Sequence, residues 1–172
     1  MGYNKPGKFC LFLLIILSFS GCFRYSFTGT SIPENVNSIY IPFFANQASG
    51  AVSNLSDLLN EALIDRFINQ TGLQLSDSRA TADAILEGSI VSYSNEAFSI
   101  TGNEQTSLNE VTIGVRATFQ YTDQDEPEWT SSFTGAATYD TNENPLQGEL
   151  NAAQEALDLI ANNMFNDAVS NW

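Results

Sequence analysis

The segment from Val111 to Tyr121 constrains the fold more than any other part of this chain. Apolar or aromatic side chains occupy every second position: Val111, Ile113, Val115, Ala117, Phe119 and Tyr121. The positions between them carry Thr112, Gly114, Arg116, Thr118 and Gln120. A period of two with a single apolar face is typical of a strand in a sheet that is packed on one side. We therefore predict a sheet with one buried face and one more polar face.

Three other segments predict strands of the same sheet. Residues 129–139 alternate in the same way, and residues 82–100 form a long segment whose phase is imperfect. Gly88 within it indicates a bulge or a close approach of another backbone. With the central segment, these two predict an antiparallel meander. Residues 37–44 predict a first strand, and Pro42 places it at a sheet edge or ends it, because proline lacks an N–H.

Two segments predict amphipathic helices, from about residue 54 to 70 and from 144 to 172, because their apolar residues recur at a spacing of 3.6. Gly72 suits a C-terminal cap of the first helix. The fold class we predict is α+β. It is a two-layer sandwich, in which two helices pack on one face of a four-stranded, mostly antiparallel sheet in the order β-α-β-β-β-α. Residues 37–172 are expected to form one domain.

The first 22 residues predict export. Two lysines precede an apolar stretch at residues 9–20, which is too short to remain as a span, since a helix needs about 20 residues to cross a bilayer. Residues 1–21 therefore predict a cleaved signal peptide. Small residues before Cys22 resemble the lipobox of bacterial lipoproteins, which implies that Cys22 carries diacylglycerol and an N-acyl chain such as palmitate. The alternative is an ordinary signal with a chance cysteine. Residues 22–36 predict the lipidated N-terminus and its tether.

Composition excludes several classes of function. After Cys22 the chain has no histidine, lysine or further cysteine, which excludes zinc sites of Cys and His, Ser-His-Asp triads, disulfides and Schiff-base chemistry. Four arginines stand against 20 acidic residues, a net charge of −16 after removal of the signal peptide. Such a charge repels nucleic acid and anionic lipid, so we expect membrane attachment only through the acyl chains.

Paired carboxylates are the remaining route to catalysis. The candidates for a glycosidase-like pair are Glu61 with Asp65 and Glu155 with Asp158, on predicted helices. We interpret them as solvated surface groups and expect no raised pKa among them. The sequence therefore predicts no catalytic residue, no metal ligand and no cofactor.

Four stretches resemble the LptE family of lipopolysaccharide-assembly lipoproteins in its Bacteroidetes form. They are FTGTSIPENVNSIYIPFF, LSDLLNEALIDRFINQTGLQL, ADAILEGSIVSYS and SSFTGAATYD. The resemblance implies a plug inside the large outer-membrane β-barrel LptD, assistance in assembling that barrel, and delivery of lipopolysaccharide to the outer leaflet. It also implies an anchor in the outer membrane. The absence of an acidic cluster after Cys22 favours the periplasm-facing leaflet.

Direct binding of lipopolysaccharide would be expected to use arginine or lysine against phosphate. Arg79 and Arg116 are the candidates, although each could instead pair with a local carboxylate. Ile64 and Ile68 point away from the apolar stripe of the first helix and are candidates for partner contact, although isolated surface aliphatics are common. The alternative function is a periplasmic module that activates cell-wall synthesis. The short tether favours a partner at the same membrane.

Overall fold

The computed structural model describes residues 32–33, 35–50, 52–98 and 107–169. The predicted signal peptide, Cys22, most of the predicted tether and Trp172 lie outside these ranges. The strands of the described part are β1 (Ser38–Tyr40), β2 (Ala45–Asn46), β3 (Gln74–Leu75), β4 (Ala84–Phe98), β5 (Leu108–Tyr121) and β6 (Trp129–Asp140). Its α-helices are α1 (Leu55–Ile64) and α2 (Pro145–Val169). None of the described helices is long and apolar enough to cross a membrane.

The strands form one mixed sheet in the order β3-β1-β4-β5-β6, and β2 also pairs with β4. β1 is parallel to both of its neighbours and β2 is parallel to β4, whereas β4, β5 and β6 are antiparallel. The predicted α+β class is confirmed. The predicted four-stranded, mostly antiparallel sheet is not, since the sheet is mixed and has six strands in the described part of the chain.

Pro42 accounts for one of the additional strands. The predicted first strand ends at Tyr40, and pairing with β4 resumes only at Ala45, because a proline between them cannot donate to a ladder. β3 accounts for the other. Its Gln74 N–H donates to the carbonyl of Asn37 (2.9 Å), so β3 covers the outer side of β1.

The buried face of the sheet is the one that the alternation in β5 predicts. All six apolar positions from Val111 to Tyr121 are buried, and the most exposed of them, Tyr121, is only 8% exposed. They pack in one core with the apolar stripes of α1 and α2. Burying an aliphatic or aromatic side chain of this size contributes roughly 1.5–3 kcal/mol, so this interface carries much of the stability of the fold.

β4 contains a glycine that another backbone approaches closely, and further along it contains a bulge. A Cβ atom at Gly88 would overlap the carbonyl oxygen of Arg116 and lie 2.6 Å from Cε1 of Phe44, which confirms the predicted close approach. The bulge lies further along the strand, where the pairing with β5 shifts register between Ile90 and Ser92. Val91 is the extra residue and is 39% exposed. The bulge explains the imperfect phase of this segment.

The first helix ends differently from the sequence prediction. α1 passes at Asp65 into a π-helical turn, Asp65–Asn69, and the Gly72 cap is wrong because Gly72 does not adopt a positive φ. The hydroxyl of Thr71 instead donates to the carbonyl of Phe67 and accepts from the N–H of Leu73 at 3.0 Å. This side chain satisfies backbone groups that a glycine cap would otherwise bond.

We expect Gly88→Ala to lower the free energy of unfolding by about 2–3 kcal/mol, because the added methyl group meets backbone atoms that cannot move aside. Gly72→Ala is the matched control, since its Cβ would meet nothing within 4 Å. Urea unfolding measures both. Equal midpoints for the two variants would contradict the close approach.

Candidate partner-binding surfaces

The second face of the sheet is open, since both helices lie on the other face. Across β4, β5 and β6 it presents mostly hydroxyl-bearing and small side chains, which are Ser89, Ser92, Ser94, Thr112, Gly114, Thr118, Thr130, Ser132, Thr134, Ala136 and Thr138. The hydroxyls of Thr118 and Thr130 hydrogen-bond across two strands at 3.1 Å. We call this surface the hydroxyl face. Its middle is polar with little charge, whereas the carboxylates of Glu87, Glu96, Glu110 and Asp140 lie on the same face towards the ends of the strands.

Arg116 lies at the centre of the hydroxyl face. The register places Ser89 on one side of it and Ser132 on the other. The side chain is exposed, and it forms no ion pair with any residue that the structure describes. A guanidinium whose N–H donors are free, on a surface of hydroxyls, is suited to donate hydrogen bonds to a phosphate or a carboxylate of a ligand.

Arg79, the other predicted ligand-binding residue, is paired. Its two terminal nitrogens donate to the two carboxylate oxygens of Glu87, each at 3.1 Å. The two side chains are 53% and 39% exposed, so the bridge contributes little to stability. It does occupy the guanidinium that a ligand phosphate would need. Of these two predicted ligand-binding arginines, Arg79 is therefore occupied by Glu87, and Arg116 has its guanidinium free of any ion pair with a described residue.

The helices form a second surface, a groove of about 480 Å³ between the end of α1 and the middle of α2. The lining residues are Asn60, Glu61, Ala62, Ile64, Asp65, Arg66, Asn69, Gln154 and Asp158. Asn60 is the one buried polar residue of the described ranges, at 9% exposure. Three carboxylates and one guanidinium give this helix groove a net negative charge.

Asp158 has a raised pKa within the helix groove. Burial is the main cause, and the carboxylates of Asp65, Glu61 and Glu155 raise the pKa further, whereas Arg66 lowers it. This differs from the prediction that all of these carboxylates are ordinary solvated groups. The partial burial between two helices is the physical reason, and the sequence periodicity alone does not show it.

A cluster of polar side chains joins the far end of the sheet to the start of α2. The Tyr93 hydroxyl donates to Glu149, and burial together with this hydrogen bond raises the pKa of Tyr93. Beside it, the side-chain amide of Asn95 donates to the hydroxyl of Tyr139 (2.8 Å), and that of Asn109 donates to the side-chain oxygen Oδ1 of Asn95 (3.0 Å). Sequence reasoning missed this cluster because the bulge at Val91 reverses the alternation of β4.

The family model for lipopolysaccharide assembly, LptE, matches residues 36–170. The chain belongs to the LptE family. No curated protein matches the sequence. The match covers the whole described sheet and both helices of this LptE-family chain, so the predicted resemblance is confirmed.

Solved structures support the fold. A protein from Xanthomonas campestris has a TM-score of 0.55 at 11% identity, covering 82% of this chain and 90% of its own. A neuraminyllactose-binding hemagglutinin homologue from Helicobacter pylori has a TM-score of 0.53 at 11% identity, covering 84% and 89%. Lipoprotein B from Nitrosomonas europaea has a TM-score of 0.50 at 11% identity, covering 78% and 83%. At these identities the likeness concerns the fold alone.

The two predicted partner-contact residues of this LptE-family chain have different surroundings. Ile64 is half-buried and lines the helix groove, where a partner can reach it. Ile68 is also half-buried, but it packs against the hydrophobic core. It lies within the π-helical turn, whose wider spacing changes the direction of its side chain from that of a regular α-helix. Cys22, the predicted lipidation site, lies outside the described residues.

We expect Asp158→Asn to raise the free energy of unfolding at neutral pH by a few tenths of a kcal/mol, a small gain because the group is partly exposed. The folded-state pKa is raised, so the carboxylate destabilises the fold above that pKa and ceases to do so as the pH falls through it. The advantage of the variant should therefore disappear in acid. Asp167→Asn, an exposed change on α2, is the control. Thermal unfolding from pH 7 to pH 4 measures both, and an advantage that persists in acid would contradict the assignment.

Proposed function

We propose that this chain is a non-catalytic outer-membrane lipoprotein, which plugs the LptD β-barrel, assists its assembly and takes part in lipopolysaccharide transport to the outer leaflet. The observation that carries the proposal is the family match over residues 36–170. The hydroxyl face supports it, because the interior of a large transmembrane barrel is polar. Hydroxyl groups can form hydrogen bonds with such a barrel lining. Because few of the groups buried in that contact are charged, the free-energy cost of desolvation is small.

The helix groove is a second contact in this proposal. Its carboxylates would meet cationic side chains of the barrel lumen, and Ile64 would supply an apolar contact beside them. Ile68 contributes indirectly, by fixing the π-helical turn against the core. The raised pKa of Asp158 is a consequence of burial between helices. Within the described residues no group of three His, Cys, Asp or Glu side chains is placed to hold a metal ion.

Anchoring in this proposal depends on Cys22. Acylation of Cys22 would hold the domain at the periplasmic side of the outer membrane, and residues 23–36 would span at most about 50 Å when extended. A reach of this length suits a barrel in the same membrane. The net negative charge of the domain keeps it from adhering to anionic lipid, so position is set by the anchor and the partner.

The tagged chain, isolated from gently solubilised membranes, should recover one large β-barrel protein at near-equal stoichiometry. Cys22→Ala should lose both the acyl mass and most of the barrel, since it removes the anchor and leaves the domain sequence intact. Quantitative mass spectrometry of the isolate is the measurement. Recovery of the chain alone would contradict the plug, and recovery of a peptidoglycan synthase would support the cell-wall alternative.

Arg116 is the better of the two candidates for lipopolysaccharide phosphate, because Arg79 is held by Glu87. We expect Arg116→Gln to weaken binding of purified lipopolysaccharide about five- to tenfold, since a solvent-exposed hydrogen-bonded contact contributes about 1 kcal/mol or slightly more. Arg79→Gln should change it less than twofold. Titration of each variant with lipopolysaccharide measures this. A larger loss at Arg79 than at Arg116 would contradict the assignment.

A further inference from the structure

β6 is a long and unprotected sheet edge. It pairs with β5 over Trp129–Asp140 without a register shift, and no described strand lies on its other side. Residues 129–139 contain no charged residue and no proline. Proteins ordinarily protect an edge with lysine, proline, a bulge or a very short strand. β3, at the opposite edge, is only two residues long, so the two edges of this sheet differ.

One hydrogen bond identifies the free backbone groups of this edge. Just beyond the strand, the N–H of Thr141 donates to the carbonyl of Ser107 at 2.9 Å, which makes these two residues a hydrogen-bonded pair. Such pairs alternate along an antiparallel ladder, so the odd-numbered residues of β6 bond to β5. The even-numbered residues direct their N–H and C=O groups outwards, and they are Thr130, Ser132, Thr134, Ala136, Thr138 and, at the end of the strand, Asp140.

The edge is also suited to a second copy of itself. An antiparallel pairing centred on Thr134 would place Thr130 opposite Thr138 of the second copy, and Ser132 opposite Ala136. All of these side chains are small and uncharged, and cross-strand threonine pairs stabilise a sheet. Two chains of net charge −14 repel each other elsewhere, so an uncharged strip is where they can approach.

The neighbouring helix adds an apolar contact. A Cβ atom at Gly135 would overlap the carbonyl oxygen of Ala156, so α2 lies directly against β6 at this point. Gln154 and Asp158 face the helix groove on the α1 side. Leu159 therefore lies on the opposite flank, beside the free edge, and it is 45% exposed. In a paired sheet the α2 helices of both copies lie on the same face, where Leu159 would be covered.

We propose that β6 together with Leu159 is a self-association surface, at which a second copy of this chain adds its own β6 antiparallel and centred on Thr134. The pairing concerns the free chain before it meets any partner, so it does not depend on the proposed function. It covers the backbone groups of an edge that would otherwise be open to aggregation.

Disulfide trapping tests the register. Directly opposed residues of a hydrogen-bonded pair have Cα atoms about 5.5 Å apart, which suits a disulfide. Thr134→Cys in the full chain, purified in detergent, should form a covalent dimer on mild oxidation. The unsubstituted chain controls for Cys10 and Cys22, and Thr118→Cys, on β5 of the same face, should remain uncrosslinked. Equal trapping at Thr118, or none at Thr134, would overturn the proposal.

Sedimentation of uncrosslinked variants tests the edge itself. Thr134→Pro removes an N–H that points away from β5, so it should weaken dimerisation at least about tenfold while the fold persists. Thr134→Val keeps the N–H and should dimerise as the unsubstituted chain does. If the proline variant fails to fold, Thr134→Lys should weaken dimerisation to the same extent, because the two lysines would lie opposite each other and repel. A chain that stays monomeric at all concentrations would overturn the proposal, whether its own N-terminal residues cover the edge or nothing does. Dimers that persist in both the proline and the lysine variant would also overturn it.

Discussion

The packing of the alternating face of β5 against α1 and α2 is the contact on which the rest of this molecule depends. Six apolar side chains point to one side of a strand that lies between β4 and β6, so both neighbours must present their own apolar residues to the same side. The helices then cover the middle of that side, where all six of these residues are buried. Few apolar side chains, such as Ile85 and Phe98, remain for the other side, so the hydroxyl face follows largely from the same constraint.

The charge distribution of the domain follows its layers. Carboxylates concentrate on the helices, in the turns and towards the ends of the strands, whereas the middle of the open sheet holds one guanidinium, Arg116, among hydroxyls. A surface of this kind can be buried against a polar partner at low desolvation cost, and the acidic helices limit contact with anionic lipid. The layer arrangement thus separates a surface with little charge at the middle of the sheet from an acidic surface on the helices.

Much of this could be predicted from sequence because strong periodicity reports directly on burial. The alternation in β5 and the apolar stripe of α2 both follow from the sequence in this way. What could not be predicted arises from non-local contacts. The bulge at Val91 moves Tyr93 to the buried side, and β3 is a strand only because β1 offers an outer edge. The contact between Arg79 and Glu87 depends likewise on how a turn meets a strand.

The central claim is that the hydroxyl face is the surface that contacts the proposed barrel. Thiol labelling of single cysteines on this face tests it most directly, because the sequence holds no cysteine after Cys22. Cysteines at Thr112 and Thr118 should react with a soluble maleimide in the free chain and lose that reactivity when the chain is isolated in complex with the proposed barrel partner. A cysteine at Asp125, in the exposed turn before β6, provides the comparison. Unchanged labelling of the hydroxyl face in an intact complex would contradict the account.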